Sequence, residues 1–369
     1  MTESDNVARG VEVVLVGPLE VDYTVAGNAP QVAGRILTDL IPGWLPSMPR
    51  TRAEVIDEVT MTRALAALRG PSLHARPGGR ILWIAQRLVG EPCGLRVGVV
   101  GVAGRCLPPD LAIVGDLDRH GIDRTHVVAA GGLSGITLSV PASLDPVRLV
   151  YRGANQDLAG MLRDNRPAIA AYTASARLVH VMVPVDASAV DAVGELLVAV
   201  RQANPAVRLS IDTSLCSEAS PEQLAGLCTL ADLAVVTEQD LVDLVGPTGV
   251  HDGRGGVDAL VSRLRHRQPG LVIAQVDPAG VTVRCPCHTA RTLPIANPAG
   301  SPNSEEAVSV VLAYLVAAGR SCDERIAALQ AGIDAISDIQ TGKPGDINTA
   351  APPAARARRW WPPSQWNRR

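Results

Sequence analysis

The stretch Ala176–Ser214, ARLVHVMVPVDASAVDAVGELLVAVRQANPAVRLSIDTS, decides the fold. ARLVHVMVP reads as a short buried strand closed by a proline. Ala187–Asn204 follows with a helical pattern, and VRLSIDTS reads as a second buried strand ending in an acid. The unit repeats downstream. VRLSIDTS leads to a helix over Pro221–Leu230, and ADLAVVTE leads to a helix over Gln239–Val245. Strands alternating with helices predict a mostly parallel sheet covered on both faces.

Working toward the N-terminus, VVAAGGLSGITLSVP and VRLVYRGAN are expected to pair as antiparallel strands. LRVGVVGVAG reads as a strand followed by a glycine turn, and Asp110–His120 as a helix closed by Gly121. PGGRILWIAQRLVG, from Pro77, reads as a glycine turn feeding a helix. Val11–Gly17 is a buried strand, and Asp22 sits in the extended piece after it. Residues from about Ala26 to Arg76 are punctuated by proline, with a helical patch near Arg52–Leu68, and read as an insertion or a long lid excursion. Toward the C-terminus, a helix over Val257–Arg267 precedes GLVIAQVDPAGVTVRC, a strand–turn–strand. NPAGSPNSEEAV (Asn297–Val308) then launches a helix over Glu305–Ala318, and a last helix covers Cys322–Ser337. The antiparallel pieces around Asp22 and Gly135–Tyr151 are expected to form a small sheet acting as a lid.

Composition narrows the class. Of 369 residues, 47% are hydrophobic, enough for a substantial core, and phenylalanine is absent, so that core is aliphatic. A formal net charge of −3 gives no global basic field, so nucleic acid is not an expected partner. Seven cysteines at irregular spacing, without a secretory h-region, point to a reducing, cytoplasmic compartment. No apolar window is long enough to span a bilayer. CPCH (Cys285–His288) lacks the second Cys/His pair of a closed zinc site and reads as free thiols. Residues 1–10 and 339–369 read as disordered tails, the second rich in proline, arginine and tryptophan, leaving 11–338 as one domain with lid and insertion within about 18–76 and 128–152.

The order of these landmarks resembles the PfkB carbohydrate kinase family, the ribokinase-like α/β fold, across about residues 11–338. VVLVGPLEVD resembles its opening strand and substrate-binding acid, which implies Asp22 as a holder of substrate hydroxyls. Gly78 and Gly79 resemble the first signature glycines. GLSGITLSV resembles a lid segment, and YRGAN, ending at Asn155, the Gly-Ala-Asn after it. IDTS resembles the strand-end Asp-Pro-Asn, and Thr237-x-x-Asp240 the metal-linked Asn-x-x-Glu. IAQVDPAGV, with Gln275 and Gly280, resembles the hairpin bordering the nucleotide. NPAGSPNSEEAV falls where the family keeps its anion hole and catalytic base. The resemblance implies ATP, Mg2+ and a small-molecule alcohol as ligands, with the lid as a homodimer surface.

The chemistry of such kinases needs a carboxylate base and backbone N–H groups for the developing phosphoryl charge. Gly300 and Ser301 would supply the N–H groups, while Pro302 removes one. Matching glycine to glycine places Asn303 at the base position. Counting back from Gly319 places Glu306 there. Trp83 falls where the family has a substrate-binding asparagine, and Gly104-Arg105-Cys106 replaces its Gly-x-Asp. GVVGVAG can also be read as a dinucleotide turn, although no acidic ribose partner follows at the expected distance. Two functions therefore stand: an ATP-dependent kinase for a sugar, nucleoside or similar alcohol, or a catalytically impaired homologue that binds a ligand or partner.

Overall fold

The computed structural model describes residues 10–25, 38, 54–68, 73–90, 94–109, 111–140, 147–184, 186–213, 218–236, 261–262, 271–277, 280–284 and 291–294. The expected helices at 239–245, 257–267, 305–318 and 322–337, both tails and the CPCH cluster lie outside or almost wholly outside these residues.

The central element is a nine-stranded sheet. Its strands are β1 (Val13–Val16), β5 (Val97–Arg105), β6 (Asp123–Leu133), β9 (Leu178–Met182), β10 (Arg208–Asp212), β11 (Leu233–Val236), β12 (Val272–Asp277), β13 (Gly280–Arg284) and β14 (Arg291–Pro294). Their order is β14-β13-β12-β11-β10-β9-β1-β5-β6. From β6 to β12 every neighbouring pair is parallel, and β12, β13 and β14 pair antiparallel. The three parallel strands β9, β10 and β11, the helices after the first two (Ala187–Ala203 and Pro221–Leu230) and the antiparallel pair β12–β13 are thus as the sequence predicts; the helix expected after β11 lies outside the described residues.

Strands β1, β5, β9, β10 and β11 are buried on both faces over most of their length, which is why they read as unbroken apolar runs, whereas β6 at the edge is largely exposed. Val13, Leu15, Leu178 and Met182 face one core, with helix α2 (Gly79–Val89) supplying Ile81, Leu82 and Ile84 and helix α3 (Ile113–Arg119) supplying Ile113 and Leu117. Val14, Val16, Val179 and Val181 face the other core. That second face is covered by α4 (Leu158–Asp164), α5 (Arg166–Ala174), α6 (Ala187–Ala203) and α7 (Pro221–Leu230). Helix α6 starts on Asp186, whose carboxylate accepts from the Ser188 and Ala189 amides, and α7 starts on a capping box of Ser220 and Gln223. Residues 156–175 carry no clear periodic signal in the sequence. Polar and charged residues interrupt the apolar pattern there, and the local packing of Leu158, Met161, Leu162 and Ile169 forms the two short helices.

The second sheet has five strands in the order β3-β8-β7-β2-β4. They are β2 (Glu20–Val25), β3 (Glu54–Val55), β4 (Leu73–Gly78), β7 (Gly135–Val140) and β8 (Val147–Tyr151). The stretch read as an insertion contributes both edge strands of this lid. It also contributes helix α1 (Glu58–Ala67), whose Met61, Ala64 and Leu65 are in the core. Alternation along the strands separates two faces. Val21, Tyr23, Val25, Ile136, Leu138 and Leu149 join the core. On the register of the lid pairs, Glu20, Asp22, Arg76, Thr137, Ser139 and Arg148 share the opposite face.

Two expectations are corrected. VVAAGGLSGITLSVP is not one strand of a hairpin: it divides at Ser134 into β6, at the edge of the large sheet, and β7, in the lid, and only β7 pairs antiparallel with β8. GVVGVAG is not a strand followed by a turn; β5 runs through it to Arg105, which removes the dinucleotide-turn alternative. The glycines there serve close packing. A Cβ on Gly104 would stand 2.5 Å from the Ser134 nitrogen and 2.7 Å from the Gly132 oxygen, both backbone atoms. Gly104→Ala is expected to cost about 2–3 kcal/mol, as overpacking against rigid backbone does, readable as a lower midpoint in urea unfolding with unchanged slope.

Candidate active site

In an open α/β sheet the ligand crevice lies beyond the carboxyl ends of the strands, where the order reverses direction. Here that point is β1. The chain proceeds from β1 to β5 and β6 on one side, then crosses to β9 and β10 on the other. Directly beyond β1, the Gly17-Pro18-Leu19 connection enters β2, so the first residues of the lid are placed over the switch point. A cleft there is lined by Pro18 and Glu20 from this connection, Val150, Arg152 and Asn155 from the lid side, and Val183, Pro184 and Asp186 beyond β9.

Three of the residues expected to meet substrate are brought together. Strand β4 pairs with β2 so that Gly78 lies opposite Glu20 and Arg76 opposite Asp22. Gly78 lies hard against the Asp22 carboxylate: a Cβ there would stand 2.3 Å from Oδ2. Gly79 has φ +76, in the left-handed region, where the chain turns from β4 into α2, and a Cβ on it would stand 3.3 Å from that of Glu20. The glycine pair therefore serves both the turn and close approach to two acids.

Asn155, which lines the cleft, is held by backbone. Its Oδ1 accepts from the Leu19 amide at 3.0 Å, and its Nδ2 donates to the Leu19 carbonyl at 3.2 Å. The side chain thereby clamps the β1–β2 connection to the 3-10 turn Gly153–Asp157. Gln275 is buried in β12 opposite Thr282, and its Oε1 accepts from Arg284 Nη1 at 2.7 Å; Gly280 begins β13. These two residues sit on the hairpin at the far side of the sheet from the lid. Asp240, Gly300, Ser301, Asn303 and Glu306 lie outside the described residues.

Glu20 was missed. Its exposure is 4%, and its Oε2 accepts from Thr137 Oγ1 at 2.6 Å. Loss of water raises its carboxyl to a pKa of about 7, with the Thr137 hydrogen bond opposing and the neighbouring Asp22 charge adding. The available signal was the period of two: Glu20 and Asp22 are two apart on one strand and so face one way.

The cationic partners are arginines. Arg76 Nη2 is 3.7 Å from Asp22 Oδ2, and its guanidinium lies 4.0 Å from the centroid of Trp83. Trp83, where the family pattern has an asparagine, therefore offers a flat face to a cation. Arg152 donates to Asp186 at 2.9 Å and also pairs with Glu218, tying the end of the lid to the start of α6. The Ser188 side chain, followed by the start of α6, holds the Asp186 carboxyl below its ordinary range, so it stays an anion beside Arg152.

Beneath the cleft, Arg80 in the first turn of α2 donates from Nη1 to Asp212 Oδ1 at 3.1 Å, with both side chains buried. Asp212 is the expected strand-end acid. His180 Nδ1 lies 3.0 Å from Ser210 Oγ on the adjacent strand. Burial lowers the His180 pKa to about 4, so at neutral pH the ring carries no charge. This cluster joins α2, β9 and β10 under the site. Among the described residues no group of three or more metal-ligating side chains converges.

No family model matches the chain. No curated protein matches it either. Solved structures do. The chain is similar to adenosine kinase from Sinorhizobium meliloti, at 14% identity over 95% of this chain and 100% of that one, with a TM-score of 0.68. It is similar to Anopheles gambiae adenosine kinase in complex with P1,P4-di(adenosine-5) tetraphosphate, at 13% identity over 89% and 99%, TM-score 0.66. Ribokinase from Giardia lamblia matches at 14% identity over 90% and 95%, TM-score 0.63. The class is thus defined: this chain has the ribokinase-like fold, with the parallel sheet and small lid sheet of sugar and nucleoside kinases.

Proposed function

We propose that the protein is an ATP-dependent phosphotransferase acting on a hydroxyl of a sugar, nucleoside or similar small molecule, with residues 11–338 as one ribokinase-like domain. The observation that carries this reading is the lid's polar face. It sets Glu20 and Asp22 against Gly78 and Gly79 over the carboxyl ends of the parallel strands. Carboxylates held in that position accept hydrogen bonds from substrate hydroxyls, and glycines let the substrate approach the backbone. The Anopheles adenosine kinase binds a dinucleoside tetraphosphate, in keeping with ATP as the phosphoryl donor here.

In this reading Asp22 binds the acceptor, Gly300 and Ser301 donate to the transferred phosphoryl, and Asp240 holds Mg2+ through water. Bound Mg2+ neutralises charge on the phosphates. Gln275 and Gly280, with the hairpin that carries them, border the nucleotide. The described residues fit the acceptor side; those assigned to ATP and Mg2+ lie mostly outside them.

One observation favours the second reading, a homologue that binds without transferring phosphate. The Arg76 guanidinium lies between the Asp22 carboxylate and the Trp83 ring, where an acceptor would sit. Arg76 is half exposed, so a ligand can displace it. Calorimetric titration of the full chain with ATP and Mg2+ separates the readings. The kinase reading predicts saturable heat and a raised melting temperature. No heat and no shift at millimolar ATP would sink it.

A further inference from the structure

We propose that Arg76 and Arg148 form a subsite for an anionic group, a carboxylate or a phosphate, carried by the acceptor. This deepens the phosphotransferase reading above and rests on it. Uncharged alcohols remain acceptors, bound more weakly.

Strand pairing sets the polar face of the lid in rows. Asp22 lies between Arg76 on β4 and Thr137 on β7, and the next row runs His74, Thr24, Ser139, Arg148. Two arginines thus stand on either side of a strip of hydroxyls and carboxyls. The charge of Arg148 is felt at Glu20, where it favours the carboxylate, so its side chain acts on the same strip.

Arg76 is half exposed, yet it is held at two points. Its guanidinium lies 4.0 Å from the centroid of Trp83, and its Nη2 lies 3.7 Å from Asp22 Oδ2, beyond hydrogen-bond length. A guanidinium held over a ring keeps its N–H donors, which lie in its own plane and match the paired oxygens of a carboxylate or phosphate. Arg152 is not part of this subsite, because Asp186 and Glu218 engage it.

The balance of charge favours an anion. Among the described residues that the register places on this face, the two guanidinium groups stand against Asp22 and Glu20. Glu20 has a pKa of about 7, so it is only partly ionised at neutral pH. An anionic group meeting Arg76 also frees Asp22 for the acceptor hydroxyls. Both arginines sit on the lid, away from the β12–β13 hairpin assigned to the nucleotide, so the anion they match is the acceptor's own.

The test is calorimetric titration of the full chain, without ATP, with two matched pairs: ribitol and D-ribonate, and D-glucitol and D-glucitol 6-phosphate. Each pair keeps a free hydroxymethyl group and differs in the anionic group. Wild type is expected to bind one charged member about 10–100-fold tighter than its uncharged partner, as hydrogen bonds to charged groups allow. Which pair shows this tells carboxylate from phosphate. Arg76→Gln is expected to remove most of that preference and leave the uncharged member unchanged. Arg76→Lys should keep part of it, having the charge without the fork. With ATP and Mg2+, R76Q is expected to raise KM for the charged acceptor and not for ATP, as read by ADP release. Equal binding within both pairs, no binding of either charged probe, or a preference that R76Q keeps overturns the subsite. A raised KM for ATP alone also overturns it and assigns Arg76 to the phosphoryl donor. In each case the phosphotransferase reading stands if any alcohol supports ADP release. If a charged probe binds through Arg76 and no ADP is released, the subsite stands and the transferase reading falls.

Discussion

Asp212→Ala is expected to cost about 3–5 kcal/mol of folding stability, the range seen when one partner of a buried ion pair is removed. Asp212 is fully buried, and Arg80 donates to it at 3.1 Å with its own side chain 7% exposed. Without the carboxylate, a guanidinium that cannot lose its proton stays in an aliphatic core. Arg80→Met combined with Asp212→Leu removes both charges and is expected to recover most of the loss, because an apolar pair of similar volume often replaces a buried ion pair without penalty. Urea unfolding of the single and double variants at pH 7 checks this. A single variant within 1 kcal/mol of wild type would mean that the pair is not buried in solution.

The second large effect concerns Glu20 and pH. Its folded pKa is about 7 against an ordinary 4.5. The folded state therefore keeps a proton that the unfolded chain releases between those values. Stability from this group is complete below about pH 4.5 and is lost as pH rises to 7, by about 3 kcal/mol in total. E20Q lacks this loss, so its advantage over wild type should grow by about that amount between pH 5 and pH 8. His180 works in the opposite direction. Its folded pKa of about 4 lies below its ordinary 6.5, so stability is lost as pH falls through that interval. Because both proteins contain His180, their difference isolates Glu20. Denaturation of each at pH 5 and pH 8 gives the result; a difference independent of pH would contradict the burial of Glu20.

Much of the architecture was legible because its signals are local. Each parallel strand is an apolar run too short for a helix, and each long helix follows one, so the repeat around His180 and Asp212 was enough to set the sheet. Asp22, Gly78 and Gly79 were each legible as substrate-side candidates from the order of motifs, but that they meet across β2 and β4 was not. What was not legible depends on contacts between distant residues. The glycines of β5 resemble turn residues, and only the approach of Ser134 and Gly132 shows why they stand inside a strand. The division of β6 from β7 at Ser134 has no signal in either strand. Asn155 reads as a ligand residue, yet its amide is taken by the Leu19 backbone, 136 positions away in the chain. Glu20 reads as an ordinary strand polar residue until the lid packs over it.

Phosphoryl transfer to a hydroxyl is measured most directly by following the γ-phosphate itself. The full chain is incubated with γ-labelled ATP, Mg2+ and each of adenosine, D-ribose and D-fructose at pH 8, and the products are separated. Label is expected on one of these alcohols, at a rate that saturates with the acceptor. Label found only in inorganic phosphate, or remaining in ATP, with every acceptor would contradict it.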